Sequence, residues 1–212
     1  MLSSVNKYPF FDLADIKPEL EFSYKKYQPL NPVKVGNYVP FDLDNNQSRW
    51  QQFYNGAQTR GLIVTQQLLS KPLVIAFYSH HWGGAGVTRL IELNAIHTEV
   101  RANGGNLLVI TTEKSDSLEK IAWEQSLTLN FYVDTANEVA QKFRVYAENS
   151  PTWNIFSGID VNIPLLATYV IDESKHVVYQ HVNRNLEEIF SAPAILSAVY
   201  HSALAANSKK SA

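Results

Sequence analysis

Residues 72–100 read PLVIAFYSHHWGGAGVTRLIELNAIHTEV, and their reading decides the fold. Leu73–Tyr78 is an apolar, partly β-branched run of strand length, the pattern of a strand covered on both faces. A glycine-rich turn follows at Trp82-Gly83-Gly84-Ala85-Gly86. From near Ala85 the apolar positions recur at helical spacing, with Leu90, Leu93, His97 and Val100 on one side. Asn103-Gly104-Gly105 is an ordinary helix stop. The stretch is therefore a strand, a turn and a long helix, and the remaining chain is expected to build around it.

Working toward the C-terminus, residues 107–111 form a second apolar run, and Ser115 or Ser117 is placed to cap a helix reaching about Leu127. Residues 129–133 give a third strand, after which Asp134 or Thr135 caps a helix ending near Arg144. The next twenty residues are irregular. Residues 167–171 and 176–181 alternate like paired strands, joined by a turn over 172–175. A final helix is expected from Asn185, kinked or divided at Pro193, with a solvated tail over 205–212. Strand–helix alternation calls for parallel pairing through right-handed crossovers, and the hairpin adds an antiparallel edge. The fold class expected is α/β, a mixed central sheet with helices on both faces.

Toward the N-terminus, residues 35–43 read as an extended lead-in. Residues 44–60 are polar, with Trp50, Phe53 and Tyr54 spaced for a short helix. A short strand over 62–64 and a helical turn over 66–69 are expected before the central strand. Residues 1–34 carry Pro9, Pro18, Pro29 and Pro32 together with six aromatic residues, which suits an extension packed on the domain or on a second subunit. The division is an extension over 1–34, a domain over 35–204 and a tail over 205–212.

Bulk composition excludes several classes. The 212 residues are 45% apolar, enough for a sizeable core in one domain. A net charge of −2 without any basic block gives no reason to expect a nucleic-acid partner. No run is long and apolar enough for a membrane span, and residues 1–22 lack a secretory h-region, so a cytoplasmic location is expected. There is no cysteine, and the only methionine is Met1, which removes disulfides, thiolate metal sites and every thiol mechanism.

Several strings, in order, resemble the peroxiredoxin-like branch of the thioredoxin superfamily, the alkyl hydroperoxide reductase/thiol-specific antioxidant family. Val35-Gly36-Asn37 with Pro40-Phe41 is similar to that family's opening. Phe77-Tyr78 with Trp82 resembles its strand end before the peroxidatic loop. Residues 131–134 and Ala167-Thr168-Tyr169-Val170-Ile171-Asp172 resemble two of its later strands. The resemblance spans roughly residues 35–190 and implies a thioredoxin-like fold and an antioxidant oxidoreductase. The departures fall on its working positions. Gly83 stands where the peroxidatic cysteine belongs and Gly86 where a second cysteine belongs. Leu166 occupies the place of a proline beside the cysteine, with Pro164 two residues earlier. Peroxide reduction needs a sulfur that can be oxidised and recycled, so no catalytic residue and no cofactor are assigned.

A glycine-rich helix start presents free backbone N–H groups and the positive end of the helix dipole, suited to a phosphate, sulfate or carboxylate. The candidate ligand-binding residues are His80, His81, Trp82, Gly83, Gly84, Gly86, Thr88, Arg89 and Leu166. Arg89 stands where a dinucleotide fingerprint needs its third glycine, and the P-loop ending is absent. His80 and His81 would point to opposite faces in extended chain, and ligand spacing is missing elsewhere, so no metal is assigned. The expected function is binding, to a protein or a small anionic ligand, with a homodimer as the expected assembly. The alternatives are an enzyme of another class with His80 or His81 as general base, and an interaction module using the aromatics between Tyr8 and Tyr54.

Overall fold

The computed structural model describes residues 28–44, 46–61, 63–113, 115–185 and 188–210; the expected extension over residues 1–27 lies outside them. Seven strands form one sheet: β1 (Trp50–Tyr54), β2 (Ala57–Thr59), β3 (Leu73–Tyr78), β4 (Asn106–Thr111), β5 (Asn130–Val133), β6 (Ala167–Ile171) and β7 (Val177–Val182). Their order across the sheet is β2-β1-β5-β4-β3-β6-β7. β3, β4 and β5 run parallel, and the two hairpins add antiparallel pairs at both ends.

β3 is buried along its whole length because both its faces are covered. Leu73, Ile75 and Phe77 enter one apolar cluster, and Val74, Ala76 and Tyr78 enter the other. Against the second face lie α2 (Gly83–Ala102), α3 (Ser115–Glu124) and α5 (Ala192–Lys210), which contribute Leu90, Leu93, Leu118, Ala122, Ile195 and Val199. The first face is closed by α1 (Thr65–Leu69), α4 (Glu138–Lys142), the irregular segment after it and the lead-in residues Val33, Val39, Phe41 and Leu43. The mixed sheet with helices on both faces is thus the architecture found. Asp134, one of the two residues expected to cap the next helix, accepts the N–H groups of Val139 and Ala140 at Oδ2, 2.9 and 3.1 Å away, although α4 starts later than expected, after Asn137.

Five local expectations are corrected. Residues 44–60 do not make a helix beyond one 3-10 turn at Gln47–Arg49; they make the β1–β2 hairpin. Its turn is Asn55-Gly56, with φ of 48° and 80°, the pair of positive values that a two-residue hairpin turn requires. Pairing with β5 decides the outcome. Trp50 packs edge-on against Tyr132 on one face, and Phe53 edge-on against Phe131 on the other. No strand forms at Ile63 and Val64. α2 starts at Gly83, two residues early, and Ile96 rather than His97 fills the buried position, leaving His97 half-buried on its flank. α3 stops at Glu124, three residues short of Leu127. The last helix begins at Ala192, with Pro193 in its first turn, where proline is tolerated; it continues through Lys210 into the stretch expected as a tail.

Candidate functional site

The end of β3 leads into a 3-10 turn at His80–Trp82, and α2 starts immediately after it. Ser79 starts the turn, its Oγ accepting the His81 N–H at 3.3 Å. Gly83 sits at φ 53° and ψ −133°, a backbone conformation that side chains of L-residues rarely adopt. Gly83 and Gly84 are exposed, and a Cβ on either would meet open space. Gly86 is buried. A Cβ there would lie 3.0 Å from Trp82 Cβ, 3.1 Å from Ser79 O and 3.2 Å from the Tyr78 ring. The two glycines at the cysteine positions therefore have different physical reasons, a backbone requirement at Gly83 and close packing at Gly86.

Trp82 is not at the surface. It is 3% exposed, meets Phe156 edge-on at 4.9 Å and donates its indole N–H to Pro164 O at 3.1 Å. Leu166 is buried in the same cluster. These two residues form the floor beneath the turn. Thr88 is exposed one turn along α2. Arg89 faces the other way, into the protein at 4% exposure. Its guanidinium donates to Glu92 at 3.2 Å, Thr168 at 3.4 Å and Asn183 at 3.2 Å, and lies 4.6 Å from the Phe190 ring centroid. Burial pulls the guanidinium below its ordinary pKa, and the Glu92 carboxylate opposes that shift. Arg89 and Thr88 do not converge on the turn.

His80 and His81 do not point apart. The 3-10 turn brings their rings to 3.9 Å between centroids, tilted by 38°. His80 is held by a residue that sequence reading missed, Glu113. Glu113 Oε1 accepts the Ser79 hydroxyl and the His80 N–H, each at 3.0 Å, and Oε2 forms a close hydrogen bond with His80 Nδ1. A carboxylate accepts only, so Nδ1 carries the proton, and Nε2 is the basic nitrogen of the neutral ring. The carboxylate is 7% exposed and the His80 side chain 56%. Glu113 also adds its charge to burial in pushing the Tyr78 phenol up to about 12. The signal that could have found Glu113 is register: the parallel pairing of Tyr78 with Thr111 carries the chain beyond β4 past Ser79 and His80. Among the described residues no cluster of three or more histidine or acidic side chains could hold a metal ion.

The sequence pattern of the AhpC/TSA family matches residues 49–180. This chain belongs to the AhpC/TSA family. Among curated proteins none matches it in sequence. Solved structures similar to this AhpC/TSA chain include AhpC of Enterococcus faecalis, with a TM-score of 0.60 and 14% identity over 85% of this chain and 96% of that one. AhpC of Mycobacterium tuberculosis gives 0.58 and 10% over 80% and 92%. The reduced 2-Cys peroxiredoxin of Plasmodium vivax gives 0.56 and 18% over 79% and 81%. At such identities the likeness is one of fold, and it establishes the peroxiredoxin-like, thioredoxin-type sheet. This AhpC/TSA chain carries that fold with no cysteine anywhere in its sequence.

Proposed function

We propose that this AhpC/TSA protein is redox-inactive and acts by binding, with the exposed turn at His80–Gly84 as its contact site. One observation carries the reading: the only sulfur in 212 residues is Met1, so peroxide has no thiolate to attack it. The packing at Gly86 supports it, because that position has no room for a cysteine side chain without moving Trp82 or Tyr78. The reading takes the chain as a cytoplasmic homodimer whose partner is a protein or a small anion. Trp153 and Ile155, exposed beside the Phe156 that packs on Trp82, suit such a contact. The test is peroxide consumption and insulin reduction with a complete thioredoxin system. Rates equal to a no-protein blank are expected, and turnover above the blank sinks the reading.

The His80–Glu113 couple favours a second reading, an enzyme of another class. A buried carboxylate that fixes the imidazole tautomer leaves Nε2 ready to take a proton, next to the exposed start of α2 at Gly83 and Gly84. Titration of the labelled protein with inorganic phosphate discriminates. Saturable shifts of the Gly83 and Gly84 amides support this reading, and their absence removes it.

A further inference from the structure

A second cleft lies at the opposite end of the sheet, where β4 begins and α2 ends. Its volume is about 1110 Å³, enough for a metabolite. Phe53, Leu68 and Leu107 give it an apolar floor, and the exposed Tyr54 ring stands at its edge. Lys71, His97 and Arg101 line it, and its described lining contains no aspartate or glutamate. Acids outnumber lysines and arginines in this chain, 20 to 18, so an acid-free lining with three basic side chains runs against the average.

The walls of this cleft are fastened. Asn106 Nδ2 donates to Leu68 O at 2.8 Å, tying α1 to β4. Asn94 Oδ1 accepts the Thr128 N–H at 2.6 Å and its hydroxyl at 3.0 Å, tying α2 to the approach to β5. Among the described residues Arg101 donates no side-chain hydrogen bond and forms no ion pair that would explain its place. A basic residue in the last turn of a helix often serves the terminal carbonyls. Here those of Glu99, Val100 and Arg101 already accept the N–H groups of Asn103, Gly105 and Gly104. Among the described residues neither Arg101 nor Lys71 forms an ion pair. Burial, and then the Arg101 charge, pull the His97 imidazole below its usual value, the sign expected of two basic groups sharing one cavity.

The geometry points to this cleft as a binding site for a phosphate-bearing small molecule, its phosphate held by Lys71 and Arg101 and its ring portion laid against Tyr54. Two cations answer the charge of a phosphate monoester, and Thr98, also in the lining, adds a hydroxyl. The inference is independent of the reading at the His80 turn.

The test is calorimetric titration of the full chain with inorganic phosphate, AMP and adenosine. Saturable binding of AMP, weaker binding of phosphate and none of adenosine are expected. Lys71→Gln and Arg101→Gln should each weaken AMP binding by about tenfold or more, the loss of one charge-assisted hydrogen bond. Both side chains are exposed, so an unchanged thermal transition verifies folding. No saturable binding of AMP or phosphate overturns the proposal, as does binding that the two variants leave intact. Binding abolished by His80→Ala but not by Arg101→Gln would overturn it too, and would return the anion to the turn of the second reading.

Discussion

Gly83, Gly84 and Gly86 lie within four residues and answer to three different constraints. Gly83 holds a positive φ, so any side chain there costs about 1–3 kcal/mol in backbone strain. Gly84 has ordinary helical backbone and open space around it. Gly86 has tight contacts on three sides, one of them the backbone oxygen of Ser79. The expected outcome of an alanine series follows. Gly84→Ala raises stability by about 0.4–1 kcal/mol, because it removes disorder only from the unfolded chain. Gly86→Ala lowers it by about 1–3 kcal/mol through overpacking against Trp82. Urea denaturation of the two variants checks the difference in sign. Putting cysteine back at these positions would therefore meet a backbone preference at one and a filled space at the other. Among the residues of the turn, the sequence singled out the histidines and glycines, but Glu113 was invisible to it. The carboxylate meets His80 only through the register of two parallel strands, and 33 positions separate them in the chain.

At the scale of elements, the β1–β2 hairpin depends on one close approach. A Cβ at Gly56 would come within 2.6 Å of Ala122 O and 2.7 Å of Trp123 Cα, backbone atoms of α3 that cannot step aside. Gly56 also holds a φ of 80°. Gly56→Ala is expected to destabilise the protein by about 3 kcal/mol, the sum of strain and overpacking, and calorimetric unfolding measures it. Its neighbour Ala57 is exposed, and Ala57→Ser should stay within about 0.5 kcal/mol of wild type. The helical spacing of Trp50, Phe53 and Tyr54 misled because three residues in a short window fit either period. The Asn55-Gly56 pair was the stronger signal. Arg89 works at this scale as well. It joins α2 to Thr168 of β6, to Asn183 after β7 and to Phe190 ahead of α5. Arg89→Ala leaves the buried Thr168 and Asn183 without their cation and is expected to cost about 3 kcal/mol, read as a lower denaturation midpoint.

For the whole molecule, acid is the informative variable. Burial is the first cause that lowers His97, followed by the Arg101 charge. Burial likewise leads for His181, followed by the Arg89 charge. Both shifts favour the neutral imidazole in the folded state. Below the unfolded histidine value near about 6.5, the unfolded chain binds protons that the folded chain resists. Their contribution is therefore present above that value and is lost as the pH falls through it. Stability should decline between about pH 7.5 and about pH 5, and His97→Gln should flatten the decline. An unchanged slope in that variant would remove His97 from the account.

The order of elements from Leu73 to Val182 was legible in the sequence because each rests on local pattern: unbroken apolar runs for strands buried on both faces, helical spacing between them, and caps at their ends. The absence of cysteine was legible too, since a missing residue type needs no structure to establish it. Tertiary structure alone decided the rest. Strand pairing overrode the spacing of residues 50–54, parallel register set Glu113 against His80, and the inward turn of Arg89 withdrew it from the helix start. The basic cleft gathers Tyr54, Lys71 and Arg101 from separate elements. Local pattern fixes an element because neighbours along the chain constrain one another. A site forms from residues distant in sequence, and only the packed sheet sets the distances between them.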